Sequence, residues 1–201
     1  ESLSRRGRYR EALAEYDKFL TAHPNDAQAL YMKARCYLNL EDHPAAIATC
    51  TQMLQLNPGD EKALYVRSRA YFRSGDYRKA LFDCNHKILI SEAYDEDYAF
   101  RGDIQQKLRN FRAAVADYSR ALRPRDHHYV DPRWLAKRAR CYRMLGKYRE
   151  AIADYTKALQ SSQEADFYVE RAQSYESNGR YDLGAQDRIA AQKIQTQSSR
   201  E

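Results

Sequence analysis

A six-residue pattern recurs along this chain at a nearly constant interval, and that interval constrains the fold more than any other feature. Gly-x-Tyr-x-x-Ala occurs at Gly7-Tyr9-Ala12, Gly75-Tyr77-Ala80 and Gly146-Tyr148-Ala151. Weaker copies are Glu41-His43-Ala46, Arg109-Phe111-Ala114 and Gly179-Tyr181-Gly184. Their first residues fall at 7, 41, 75, 109, 146 and 179, so the spacings are 34, 34, 34, 37 and 33. A period of this size is the mark of a supersecondary unit that cannot bury its own apolar face and must stack on its neighbours.

Further slots keep the same register. A small residue precedes most copies, at Ala34, Ser68, Gly102, Ala139 and Ala172. An aromatic follows it at Tyr37, Tyr71, Tyr142 and Tyr175, with Gln105 the exception. Four residues beyond the Ala slot stand Tyr16, Cys50, Cys84, Tyr118, Tyr155 and Arg188. Pro24 and Pro58 close early copies. Within each unit apolar residues return at three and four, as in Leu30, Ala34, Tyr37 and Leu38, which is the period of an amphipathic helix. Glycine before the second helix allows the left-handed turn that ends the first. With only 7 Gly and 5 Pro in 201 residues, a turn-rich sandwich or barrel is excluded.

Together these residues resemble the tetratricopeptide repeat family over about residues 1–195. The family's Trp slot is filled here by Leu30, Leu64, Tyr98, Leu135 and Tyr168. The resemblance implies an all-α fold, a right-handed superhelical solenoid of stacked antiparallel helix hairpins. One array is expected over 1–198, with repeats at 1–26 (partial), 27–60, 61–94, 95–131, 132–164 and 165–198, then a polar tail at 199–201. The first repeat lacks most of its opening helix, so the chain is expected to be part of something longer. The pattern 123–134, with His127, His128 and Trp134, reads as an inter-repeat insertion.

One polar pair repeats with the units. Arg67 and Asp83, Arg101 and Asp117, Arg138 and Asp154, and Arg171 and Asp187 are each 16 residues apart. They read as salt bridges that fix helix pairing. Cys36, Cys50, Cys84 and Cys141 occupy core slots and form no CxxC, so buried free thiols are expected. No nucleophile motif, phosphate-binding glycine loop or spaced metal-ligand set occurs, so the sequence implies no enzyme, no cofactor and no metal. No apolar run approaches the ~20 residues of a membrane helix. With no N-terminal secretory signal, an intracellular location is expected, cytoplasmic first, with nucleus, cytoskeleton and cilium left open.

The family's geometry places first helices on the concave face. The implied partner-binding residues are Tyr31, Arg35, Tyr65, Arg69, Phe72, Arg73, Phe100, Lys107, Arg133, Lys137 and Arg140. The carboxylate clamp with which some family members hold chaperone tails does not map onto this chain: Tyr31 and Arg35 stand where Lys and Asn belong, and Val66 where Asn belongs. Net charge is +6, and residues 101–149 alone carry 14 basic and 4 acidic side chains. The expected function is a protein-interaction scaffold holding an acidic peptide or helix with apolar anchors, with membership of a larger assembly left open. The alternative is a nucleic-acid-binding solenoid using the basic 101–149 segment.

Overall fold

The computed structural model describes residues 2–123 and 131–198, and every regular element among them is an α-helix. The insertion's His127 and His128 lie outside the described residues. The chain divides into two compact units, Glu1–Ala93 and Tyr94–Glu201. The first holds α1 (Ser2–Ala22), α2 (Ala27–Asn39), α3 (His43–Leu56), α4 (Glu61–Arg73) and α5 (Tyr77–Ile90). The second holds α6 (Asp95–Lys107), α7 (Phe111–Ala121), α8 (Pro132–Met144), α9 (Tyr148–Ser161), α10 (Ala165–Ser177) and α11 (Tyr181–Ser198).

Local chemistry sets the helix ends. Asp26, Asp42, Asp60, Asp76 and Asp131 each accept a hydrogen bond from a backbone N–H of the first turn. That satisfies a donor with no partner inside its own helix. The turns between paired helices pass through left-handed backbone at Gly75 (φ 86°), Gly146 (74°) and Gly179 (77°). Glu41 (64°) and Arg109 (62°) adopt the same conformation without the freedom of glycine. The first copy departs from the expected pattern. Gly7 lies inside α1 rather than at a turn.

Each core is shared between successive hairpins. In the first unit Leu30, Ala34 and Leu38 of α2 meet Ala46, Cys50 and Met53 of α3, and Ala63, Val66 and Ala70 of α4. In the second, Ala136 and Ala139 of α8 meet Ala151, Tyr155, Ala158 and Leu159 of α9, and Phe167 of α10. Fully burying one such leucine is worth roughly 1.5–3 kcal/mol. The small slots let helices approach closely: a Cβ on Gly102 would lie 2.8 Å from the Tyr118 ring. All four cysteines are free and buried.

Candidate partner-binding faces

The repeated Arg–Asp pair is bidentate in all four copies. Arg67 Nε and Nη2 each donate to Asp83 at 2.8 Å. Arg138 meets Asp154 at 2.7 and 2.8 Å, and Arg171 meets Asp187 at 2.8 and 2.7 Å. Arg101 Nη2 donates to Asp117 at 2.6 Å. The four carboxylates are 1–6% exposed. Sequence reasoning missed the third arm. Arg67, Arg138 and Arg171 use Nη1 to reach Thr51, Ser119 and Thr156, hydroxyls on the second helix of the preceding repeat, at 3.2, 3.0 and 3.0 Å. Each of these arginines therefore ties its own hairpin together and ties it to its predecessor. They are structural groups, unavailable to a ligand.

The residues expected to line one groove fall in both units: Tyr31, Arg35, Tyr65, Arg69, Phe72 and Arg73 in the first, Phe100, Lys107, Arg133, Lys137 and Arg140 in the second. The two sets have different chemistry.

In the second unit most of the expected cations are already engaged. Lys137 Nζ donates to Asp103 at 2.8 Å, and Asp103 also accepts the Tyr118 hydroxyl at 2.7 Å. Arg140 is gripped by Glu170, which also accepts the Tyr155 hydroxyl. The bond to Glu170 holds the Arg140 guanidinium above its ordinary pKa. Burial, then the neighbouring carboxylate, pushes the Tyr118 and Tyr155 phenols up. Arg133 folds back on Asp131, the cap of its own helix, at 2.8 Å. Phe100 is 9% exposed and serves the core rather than an apolar contact for a partner. Lys107 is exposed. Carboxylates one repeat away therefore answer Lys137 and Arg140, two of the cations in the positive excess of residues 101–149.

The first unit presents the contrary arrangement. Helices α2 and α4 together carry one acidic residue, Glu61. Arg35, Lys62 and Arg69 of these helices sit on aromatic rings. Tyr31 lies between Arg35, 5.5 Å from its centroid, and Lys62 of the next first helix, 5.2 Å away. Lys62 also reaches Gln28 at 3.3 Å. Arg69 lies 4.5 Å from the centroid of Tyr65, which is 38% exposed. A ring face attracts a cation without cancelling its charge. Phe72 packs edge-on against Tyr77 at 5.5 Å. Arg73 caps α2 through the Leu38 carbonyl at 2.9 Å, which makes it a structural group. Lys62, a groove-facing position of its repeat by the family's geometry, meets the ring of Tyr31 on the preceding first helix.

A model of the tetratricopeptide repeat matches residues 1–61, 101–165 and 145–193. The chain belongs to the tetratricopeptide repeat family. Solved structures agree on the fold. The array resembles MamA (TM-score 0.77, 18% identity, covering 84% of this chain and 97% of that one). It resembles YrrB, described as a tetratricopeptide protein with an unusual peptide-binding site (0.78, 16% identity, 90% and 92%). It also resembles a chain of the APC/C hetero-tetramer Cut9–Hcn1 (0.67, 15% identity, 90% of this chain but 36% of that one). No curated protein matches the chain. Tetratricopeptide arrays are in general non-enzymatic scaffolds for protein–protein interaction, and this chain has their architecture. Among the described residues, no three His, Cys, Asp or Glu side chains converge as a metal site requires, and no helix is long and apolar enough to cross a membrane.

Proposed function

We propose that the chain is an interaction scaffold whose first-helix face in the N-terminal unit holds an acidic segment with aromatic or aliphatic anchors. One observation carries this reading: Tyr31 is flanked by Arg35 and Lys62 on two helices that hold a single carboxylate. Tyr65 beneath Arg69 extends the surface along α4. Exposed ring edges offer apolar contact, and the cations beside them offer charge. Such charges chiefly speed encounter, while buried anchors slow dissociation. The peptide-binding site named for YrrB and the assembly of Cut9 with Hcn1 support a protein partner as the class. The pairing of Lys137 and Arg140 with carboxylates weighs against a phosphate backbone along the basic segment.

The test is a fluorescence-anisotropy titration with two labelled peptides of equal length, one alternating Asp or Glu with Leu and Trp, the other replacing the acids by Lys. The acidic peptide should bind and the basic one should not. Reversing Arg35→Glu with Lys62→Glu should weaken binding about tenfold or more, whereas Lys137→Glu should leave it unchanged. Equal binding of both peptides, or indifference to the double reversal, overturns the reading.

A further inference from the structure

One cleft occurs in both units at the same five register slots, but with different charge. It opens where the first turns of a second helix meet the end of the next first helix. In the first unit it measures about 290 Å³ and is lined by Arg10, Leu13, Tyr37, Leu40 and Asp42. In the second it measures about 250 Å³ and is lined by Arg112, Val115, Tyr142, Leu145 and Lys147. Arginine, an aliphatic residue, tyrosine and leucine are kept. The fifth slot changes from Asp42 to Lys147, so a cleft of mixed charge becomes one with two cations.

Asp42 accepts a hydrogen bond from the Ala45 N–H at 3.1 Å and caps α3. Lys147 stands at the equivalent position before α9, and its ammonium has no acceptor with which to cap. Among the described residues, neither the Lys147 nor the Arg112 side chain makes an ion pair or hydrogen bond, and both are exposed. Glu150, close to Lys147 along the chain, pairs with neither. Lys137 and Arg140 of the same unit differ, since carboxylates hold them. The two-cation arrangement recurs at the next junction. Arg149 and Arg180 take the same two slots, Ile152 and Tyr175 take two of the apolar ones, and Arg180 lies 5.6 Å from the Tyr175 centroid. In the first unit the corresponding slots pair Arg10 with Asp42 and Pro44 with Asp76.

We propose that the cleft between α7 and the α8–α9 turn is a second protein-binding site, independent of the first-helix face, and that it takes a segment in which a glutamate or aspartate adjoins an aliphatic residue. The aliphatic side chain lies on the floor made by Val115 and Leu145, and the carboxylate answers Arg112 and Lys147. Arginine can meet both carboxylate oxygens, and lysine adds a point charge. Charge complementarity selects the acid; the floor selects a protein over a nucleic acid. A phosphate backbone brings no aliphatic group, and stacking a base needs an open ring. The Tyr142 ring already has the Arg138 guanidinium 5.8 Å from its centroid. A cleft that holds one side chain binds more weakly than the first-helix face, so its binding is read in a chain where that face has been reversed.

The probe is a short labelled peptide alternating Glu and Leu, titrated by fluorescence anisotropy into the full chain carrying Arg35→Glu and Lys62→Glu. Saturable binding is expected. Adding Arg112→Glu with Lys147→Glu should weaken it about tenfold or more, and a Lys–Leu peptide should then bind in its place. Adding Arg120→Glu with Lys157→Glu instead makes the same change in net charge elsewhere on the unit, and at physiological salt it should leave binding within about twofold. These positions are all exposed, so helicity by circular dichroism should be unchanged. A Glu–Ser peptide and a single-stranded oligonucleotide of equal charge should each bind about tenfold or more weakly than the Glu–Leu peptide. Absence of saturable binding, equal weakening by the two pairs of reversals, or equal binding of the Glu–Ser peptide or the oligonucleotide overturns the proposal. So does self-association that Arg112→Glu with Lys147→Glu removes, since a second copy would then occupy the cleft. None of these outcomes bears on the first-helix face, which the starting chain already lacks.

Discussion

Arg138 touches three helices at once: Asp154 on α9, Ser119 on α7, and, from its own α8, the ring of Tyr142 at 5.8 Å. Removing it strands a carboxylate that is 4% exposed. Arg138→Ala should therefore cost about 3–5 kcal/mol in urea unfolding, because an uncompensated buried charge is left behind. Ser119→Ala, which deletes one hydroxyl acceptor, should cost no more than about 1.5 kcal/mol. Equal losses would mean that the two arms carry the same weight. The Arg–Asp half of this arrangement was legible in the sequence, since both members recur at one offset in four copies. The hydroxyl half was not: Thr51, Ser119 and Thr156 lie at unequal distances before their arginines and differ in type. The pairing of Lys137 and Arg140 was hidden for a related reason. A local sum of charge counts Lys137 and Arg140 as surplus, but their carboxylates, Asp103 and Glu170, belong to neighbouring repeats. One of them, Glu170, lies outside the basic segment altogether.

At the level of the helix and its turn, the same left-handed position is occupied by glycine three times and by Glu41 and Arg109 otherwise. A side chain there is strained by the approach of its Cβ to the following carbonyl. Arg109→Gly should relieve that strain and raise stability by about 0.5–1 kcal/mol, seen as an upward shift in melting temperature. Gly102→Ala tests the opposite condition, because a methyl placed 2.8 Å from the Tyr118 ring must displace a fully buried side chain. A loss of about 1–3 kcal/mol is expected from overpacking. A melting temperature equal to wild type would show that the ring can move aside freely. The small slot was visible in the sequence as a register position, but its ring contact was not. Helix existence was legible from the periodicity; that α1 runs straight through Gly7 was not, because the motif is the same and only its surroundings differ.

Across the molecule, burial fixes an alkaline limit. It pushes the Cys50 and Cys141 thiols from 9.0 up to about 12, and it raises the Tyr118 and Tyr155 phenols as well. Groups raised in the fold bind protons that the unfolded chain releases. Their contribution to stability is therefore intact below about pH 9 and is lost progressively as pH climbs toward 12, by about 1.4 kcal/mol per group per pH unit. Melting temperature should hold steady from pH 7 to 8.5 and fall steeply above pH 9.5. The fall should be shallower in Cys50→Ala with Cys141→Ala, and an identical slope would show that these thiols ionise as readily in the fold as outside it. Cysteine burial was legible because those slots coincide with tyrosine and alanine core positions in other copies.

The hydroxyl arm of the arginine clamp has a consequence for how such a chain can lengthen or shorten. The hairpins that open with α4, α8 and α10 each carry a plug, their arginine, and it fits a hydroxyl socket on the hairpin before. Excising residues 132–164 would bring Arg171 to the place Arg138 holds now, opposite Ser119 instead of Thr156, with donor and acceptor types unchanged. Hairpins joined by this link are therefore exchangeable parts, whereas a cut at any other interval leaves a plug without its socket.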